Sequence, residues 1–225
     1  MSRKDELAGN LAQVEARITS ALSISGRSRD EITLIAVTKF FPVSDVALLY
    51  ELGLRHFGEN RDGEGAEKSS QLPTDSHWHF QGQIQSRKIT SILEWATTIH
   101  SLDSRDHATK CSRILEESGQ VREFFLQVNL EPDRSDRGGI AASALPDFYE
   151  FVKDLSGMKI IGLMSVPPIE VEPAAAFLEV AGYAKELGLR SLSLGMSGDF
   201  EEAIAAGATH IRVGSSILGS RPEPA

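Results

Sequence analysis

The chain has 225 residues, a formal net charge of −9 and the apolar and charged content of an ordinary soluble globular protein, enough for one large domain or two small ones. Its acidity argues against a general nucleic-acid or anionic-membrane binder, although a small anionic ligand needs only a local pocket. One cysteine, Cys111, excludes an intramolecular disulfide and fits a reducing compartment, and no apolar run approaches membrane-spanning length. The N-terminus alternates charged and apolar residues instead of forming a signal sequence, so a soluble, cytoplasmic protein is expected.

Residues 2–25 read as an amphipathic helix, because Leu7, Leu11, Val14, Ile18 and Leu22 recur at steps of three and four. A polar turn at 26–30 leads into a β-branched and aliphatic run, 32–39, which ends on Lys39 before Phe40, Phe41 and the breaker Pro42. In an alternating strand Thr33, Ile35, Val37 and Lys39 share one face. If that face points inward, Lys39 is an amine at the mouth of an apolar enclosure, where desolvation lowers its pKa as a Schiff-base lysine requires. The plainer reading is a strand-end lysine that reaches water.

A pattern then repeats. A helix at 44–52, capped by Ser44 and closed by Gly53, precedes a strand at 54–58, Glu59-Asn60 and a polar helical segment ending at 69. After a turn at 73–76 come a strand at 77–82 and a helix at 86–95. A strand at 97–102 enters Asp103, and the helix at 104–118 holds Cys111 as a packing residue. Further units are a strand at 122–130 with a polar loop at 131–139 and a helix at 145–155, then a strand at 159–164 with Pro167-Pro168 and a helix at 172–187. The last are a strand at 190–196 with a short helix at 200–206, and a strand at 209–215 with a tail from 217.

Strict alternation of strand and helix implies a parallel sheet with right-handed crossovers, and eight units over this length suit a closed (β/α)8 barrel better than an open sheet. No glycine-rich dinucleotide fingerprint follows the first strand, and no composition shift marks a second domain. The expected fold class is therefore α/β: a single (β/α)8 TIM barrel over 1–225, with the extra N-terminal helix of 1–25 packed on it.

In such barrels the site lies at the C-terminal ends of the strands, and phosphate often binds after strands seven and eight. Gly195-Met196-Ser197-Gly198-Asp199 offers there a hydroxyl, close backbone approach and a helix N-terminus, and Gly214-Ser215-Ser216 repeats the glycine and hydroxyl pair. A plain helix cap and a plain turn are the alternatives. Along the last strand Ile211 and Val213 should pack on helices, which sends Arg212 into the barrel. A buried guanidinium needs a partner, either a carboxylate or a heteroatom of a ligand beside the phosphate. His77-x-His79 invites a metal reading, but neither Asp103 nor His100 has a supporting spacing, so no metal is expected. Tyr50, Tyr149 and Tyr183 all fall in helical stretches and offer no obvious catalytic phenol.

The sequence resembles the pyridoxal phosphate homeostasis proteins, relatives of the alanine racemase N-terminal barrel. The resemblance spans nearly the whole chain. It is carried by Ile35-Ala36-Val37-Thr38-Lys39, His56-Phe57-Gly58-Glu59-Asn60, Trp78-His79-Phe80-Gln81-Gly82 with Gln85-Ser86, and Val128-Asn129-Leu130. Gly162-Leu163-Met164, Leu194-Gly195-Met196-Ser197 and Ile211-Arg212-Val213-Gly214-Ser215 complete it. It implies that Lys39 holds pyridoxal 5'-phosphate as an internal aldimine and that Ser197, Gly198, Gly214 and Ser215 hold the phosphate. It further implies that Arg212 faces the pyridine nitrogen and that Asn60, His79 and Met164 line the cofactor. Two positions depart from the usual pattern: Ser215 stands where threonine is common, keeping the donor, and Arg137 stands where a lysine often precedes the glycine.

A pyridine nitrogen facing a permanent cation makes the ring a poorer electron sink. Alanine-type racemases add a tyrosine from a C-terminal β domain, and this chain is expected to lack that domain. The implied role is intracellular vitamin B6 homeostasis: a monomeric carrier that buffers or delivers the cofactor without robust turnover. Its partners would be pyridoxal phosphate-dependent apoenzymes or B6-salvage enzymes. Rival readings are a fold-type III amino-acid racemase with His79 as its second acid–base group, a Schiff-base aldolase using Lys39 alone, and a barrel that binds nothing.

Overall fold

Ser2 starts helix α1 (Arg3–Ser25) through a capping box: the Ser2 hydroxyl accepts from the Asp5 N–H, and the Asp5 carboxylate accepts from the Ser2 N–H. In this computed structural model, which describes residues 2–131, 137–168 and 170–220, the helix buries Leu7, Val14, Ile18, Ala21 and Leu22. Each of the leucine, isoleucine and valine side chains contributes roughly 2 kcal/mol by burial. Polar anchors fix its angle: Arg3 bonds Asp45 at 2.7 Å and the Leu218 carbonyl at 2.9 Å, Asn10 bonds the Ile217 carbonyl at 2.9 Å, and Arg17 pairs with Glu201.

The barrel follows in strict order: β1 (Thr33–Val37), α2 (Val43–Glu51), β2 (His56–Glu59), α3 (Asp62–Gln71), β3 (His77–Phe80), α4 (Ile89–Trp95), β4 (Thr98–Leu102) and α5 (Arg105–Ser118). The second half comprises β5 (Arg122–Asn129), β6 (Ile140–Ala141), α6 (Leu145–Val152), β7 (Met158–Met164), α7 (Pro173–Glu186), β8 (Ser191–Ser193), α8 (Phe200–Ala205), β9 (His210–Val213) and α9 (Ser215–Leu218). Every pairing is parallel. β1 joins β9, and a β4–β5 pairing closes eight strands into a barrel, as the alternation predicts.

Alternation along the strands sorts the side chains. Leu34 and Ala36 of β1, and Ile211 and Val213 of β9, enter the hydrophobic cluster shared with the helices. Ile35 and Arg212 take the other face and are buried inside the barrel. That interior is polar for this architecture, where branched aliphatic layers are the rule. His79, His100, Ser193 and Arg212 are all buried there, with the Phe125 ring stacked on His100 at 4.5 Å.

Four expectations need correction. Ser44 does not cap α2: Pro42, with φ −69°, stands at the cap, the helix starts at Val43, and Ser44 falls inside its first turn. β6 was not foreseen; only two residues long, it pairs with β5 alone through Val128–Ile140 and Asn129–Ala141. The expected loop at 131–139 also includes 132–136, which lie outside the described residues, as do 221–225. The tail begins with a helical turn, α9, whose Ile217 and Leu218 are buried against the core. The strand expected at 190–196 is regular only over β8; Leu194 and Gly195 still exchange backbone hydrogen bonds with His210 and Arg212, and Gly195 at φ +83° then turns the chain away, where a Cβ would sit 2.6 Å from that of Ala203. Among the described residues no helix is long and apolar enough to cross a membrane.

Candidate functional site

β1 delivers Lys39 to the C-terminal mouth of the barrel, and the turn that carries it is held from below. The Thr38 N–H donates to the Gly58 carbonyl at 2.9 Å, and the Thr38 hydroxyl donates to Glu59 at 2.6 Å. Lys68, reaching inward from α3 and only 5 % exposed, donates to the Thr38 carbonyl at 2.9 Å and to Glu59 at 2.6 Å. One turn earlier, Glu64 accepts the Phe40 N–H at 2.9 Å. Phe40 sits at φ +73°, the left-handed region that a bulky residue enters only under constraint, with Arg61 over its ring at 4.6 Å. Glu59 is fully buried, and burial pushes its carboxyl up despite the opposing pull of Lys68 and Thr38.

Eight of the nine residues singled out from the sequence border one cavity of about 400 Å³: Lys39, Asn60, Met164, Ser197, Gly198, Arg212, Gly214 and Ser215. They come from loops after β1, β2, β8 and β9 and from the ends of β7 and β9. Ser197 lies where the last two loops meet, and its hydroxyl accepts the N–H groups of Gly214 at 3.2 Å and Ser216 at 3.3 Å. Asp199 fixes this loop by accepting the Met196 N–H at 2.6 Å, and Arg17 of α1 reaches the Ser197 carbonyl at 3.4 Å. A Cβ on Gly198 would meet nothing within 4 Å, so this stretch faces open space.

Arg212 rises into the cavity floor with 5 % exposure. It donates to the carbonyl and hydroxyl of Ser193, the latter at 2.8 Å, and to the Ser165 carbonyl at 3.0 Å. No carboxylate bonds it among the described residues, so the partner expected in the plainer reading is replaced by oxygens of β8 and the loop after β7. Burial lowers its pKa to about 10, with Asp199 opposing.

Gln81 was not singled out as a site residue, although it stands within a quoted block. It lines the same cavity, and its Nε2, like Asn60 Oδ1, is buried with no hydrogen-bond partner among the described residues. Gly82 sets this wall: a Cβ there would lie 2.0 Å from the Asn60 carbonyl oxygen, so only glycine lets the β2 and β3 loops approach. Val37, Phe41, Val166 and Met196 supply the apolar lining. Val166 and Met196 also border a second cavity of about 720 Å³, beside which Arg137 pairs with Glu131 at 2.8 Å.

His79 is the exception. It is not on the cavity wall but within the barrel, 2 % exposed, with Nε2 3.0 Å from His56 Nδ1 and Nδ1 2.9 Å from His100 Nε2. Strand alternation gave its face correctly but not its height. Among the described residues no group of three or more His, Cys, Asp or Glu is disposed to hold a metal ion. Burial, reinforced by neighbouring positive charge, pushes His56 and His210 down to about 4 and His79 and His100 well below their ordinary value.

A depressed imidazole pKa stabilises the fold above the ordinary value and is lost as pH falls through the folded value. Urea unfolding is therefore expected to show stability constant above about pH 7 and falling steeply between about 6.5 and about 4. His210 alone, buried and pushed to about 4, accounts for about 3 kcal/mol. Raised Glu59 and Asp103 act in the opposite sense. A His210→Gln variant whose loss across that range matches the wild type would refute this attribution.

The alanine racemase N-terminal domain family matches residues 10–222. The pyridoxal phosphate homeostasis protein of Corynebacterium glutamicum is 38 % identical over 221 residues, covering 93 % of this chain and 99 % of its own. That of Escherichia coli is 35 % identical over 229 residues, covering 96 % and 97 %. The structure of PipY from Synechococcus elongatus with pyridoxal phosphate bound superposes with a TM-score of 0.84 at 33 % identity, over 95 % of this chain and all of that one. Alanine racemase from Clostridium difficile shares the fold at a TM-score of 0.76 and 16 % identity, over 97 % of this chain and 60 % of that one.

Proposed function

The chain belongs to the pyridoxal phosphate homeostasis family, on the barrel of the alanine racemase N-terminal domain, and from this premise we propose that it binds pyridoxal 5'-phosphate and buffers or delivers it without sustained catalysis. The cavity suits the cofactor's parts. A primary amine, a cluster of hydroxyl and N–H donors and a buried guanidinium face one space, and two amide atoms in its wall have no partner among the described residues. When bound, the cofactor supplies an aldehyde that condenses with a primary amine, and Lys39 is the amine assigned to it. Ser197, Gly198, Gly214 and Ser215 hold the phosphate, Arg212 faces the ring nitrogen, and Asn60, Gln81 and Met164 flank the ring.

The observation that carries the non-catalytic reading is the lining itself. Apart from Lys39 and Arg212, none of the described residues bordering the cavity is titratable. Arg212 cannot serve as a base near neutrality, and a cation opposite the ring nitrogen disfavours its protonation. Racemisation needs a second acid–base group. His79 was the candidate, and both its nitrogens are engaged by His56 and His100 below the cavity.

The same reading makes the protein a cytoplasmic monomer that receives the cofactor from salvage enzymes and passes it to apoenzymes. Loaded protein, mixed with a pyridoxal phosphate-dependent apoenzyme and excess phosphatase to destroy free cofactor, is expected to restore the apoenzyme's activity. Failure to transfer, or steady racemisation of an amino acid by the protein alone, would overturn the carrier reading.

A further inference from the structure

Arg212 ends a row of hydrogen bonds that crosses the barrel. The Ser193 hydroxyl, 2.8 Å from Arg212, lies 2.8 Å from His100 Nδ1. His100 Nε2 is 2.9 Å from His79 Nδ1, and His79 Nε2 is 3.0 Å from His56 Nδ1. His56 is the first residue of β2, and it borders a cleft of about 380 Å³ at the opposite face, beside the Glu15–Arg29 ion pair. The register builds the climb: β2 and β3 pair His56 with His77 and Gly58 with His79, so inward His79 stands two residues above His56.

The donor order along this row follows from chemistry. A guanidinium only donates, so the Ser193 oxygen accepts from Arg212, and among the described residues His100 Nδ1 is the one other hydrogen-bond partner of the hydroxyl and takes its proton. A neutral imidazole carries one N–H. His100 therefore bears it on Nε2 and donates to His79, and His79 bears it on Nε2 and donates to His56. His79 and His100 are deeply buried, His56 is half-buried, and none of the three has a carboxylate bonded to it among the described residues, which favours their neutral form. Every donor then points away from the cavity, and the aligned dipoles stand in for the carboxylate that Arg212 lacks.

We propose that Ser193, His100, His79 and His56 are positioning residues for Arg212, a one-way relay that fixes the guanidinium under the cavity and ties it to the cleft at the far end of the barrel. The inference rests on the reading of Arg212 as the group facing the ring nitrogen.

Histidine tautomers in ligand-free protein, read by 15N NMR at neutral pH, test the relay without the cofactor. His79 and His100 are expected to carry hydrogen on Nε2 and none on Nδ1, and an Nδ1–H on either overturns the relay. Ser193→Ala should lower affinity for pyridoxal phosphate about tenfold, the loss of one hydrogen bond to a charged group. It should also shift the ring-nitrogen signal of 15N-labelled cofactor, and Ser193→Thr, which restores the hydroxyl, should restore both. Wild-type affinity and ring-nitrogen signal in Ser193→Ala would overturn the positioning role. If Ser193→Ala does not fold, His56→Phe at the half-buried outer end is measured instead: a several-fold loss of affinity supports the relay, and none overturns it. Should the wild type itself bind no cofactor, the functional reading falls, while the tautomers still decide the relay.

Discussion

Lys39→Ala is expected to abolish the absorbance band, between the near ultraviolet and the blue, that the wild type acquires with pyridoxal phosphate. The expectation comes from position. Lys39 shares a cavity with Ser197, Gly198, Gly214 and Ser215 on one side and Arg212 on another, and it is the primary amine in that lining. Its removal leaves the phosphate donors and the guanidinium in place. The variant should therefore still take up the cofactor weakly, show the spectrum of the free aldehyde and lose it on gel filtration.

The fold should change little, because the hydrophobic core lies elsewhere and Lys39 borders the cavity instead of that core. Borohydride reduction of the loaded wild type followed by peptide mass analysis supplies the independent check, with the adduct expected on the peptide containing Lys39. A visible band that survives in Lys39→Ala, or an adduct on another lysine, would move the site elsewhere.

Much of this was legible because a barrel converts sequence periodicity into position. Inward alternation over Ile35, Val37 and Lys39 needs only the period of a strand, and it brings Val37 and Lys39 to the cavity. The two glycine and hydroxyl loops were legible for a similar reason: they follow the last two barrel strands, which are neighbours. What escaped depends on stagger between strands and on contacts across the barrel. No local pattern states that His56, His79 and His100 climb from β2 to β4, or that His100 meets Ser193 of β8 across the interior.

Helix α3 was harder still. Its sequence, DGEGAEKSSQ, reads as a polar surface helix, yet Lys68 is buried beneath the turn that carries Lys39. Gly65 makes this possible, since a Cβ there would lie 2.3 Å from the Trp95 ring. The helix can approach α4 this closely only because that position has no side chain.

Lys68→Met is therefore expected to be the most damaging single change to stability outside the hydrophobic core. It strands the Glu59 carboxylate, which is fully buried and whose Oε2 has no partner among the described residues even with Lys68 in place. Breaking one side of a buried pair costs about 3–5 kcal/mol because it leaves an uncompensated buried charge, which replacing both partners avoids. Lys68→Met should then be far worse than the double variant Glu59→Gln/Lys68→Met.

The pH dependence gives a second signature. Burial already raises the Glu59 carboxyl, and loss of Lys68 removes an opposing influence, so its folded pKa rises further. A raised carboxyl contributes stability below its unfolded pKa and loses it as pH rises through the folded value. The deficit of Lys68→Met relative to the wild type should accordingly be largest near neutrality and shrink toward acid. Because Lys68 also donates to the Thr38 carbonyl at 2.9 Å, one residue before Lys39, the folded fraction of the variant should retain cofactor less well. Urea titrations of the wild type and both variants at two pH values decide the matter: equal losses in the single and double variants, independent of pH, would show that Lys68 acts through packing alone and that the charge pair does not hold the Lys39 turn.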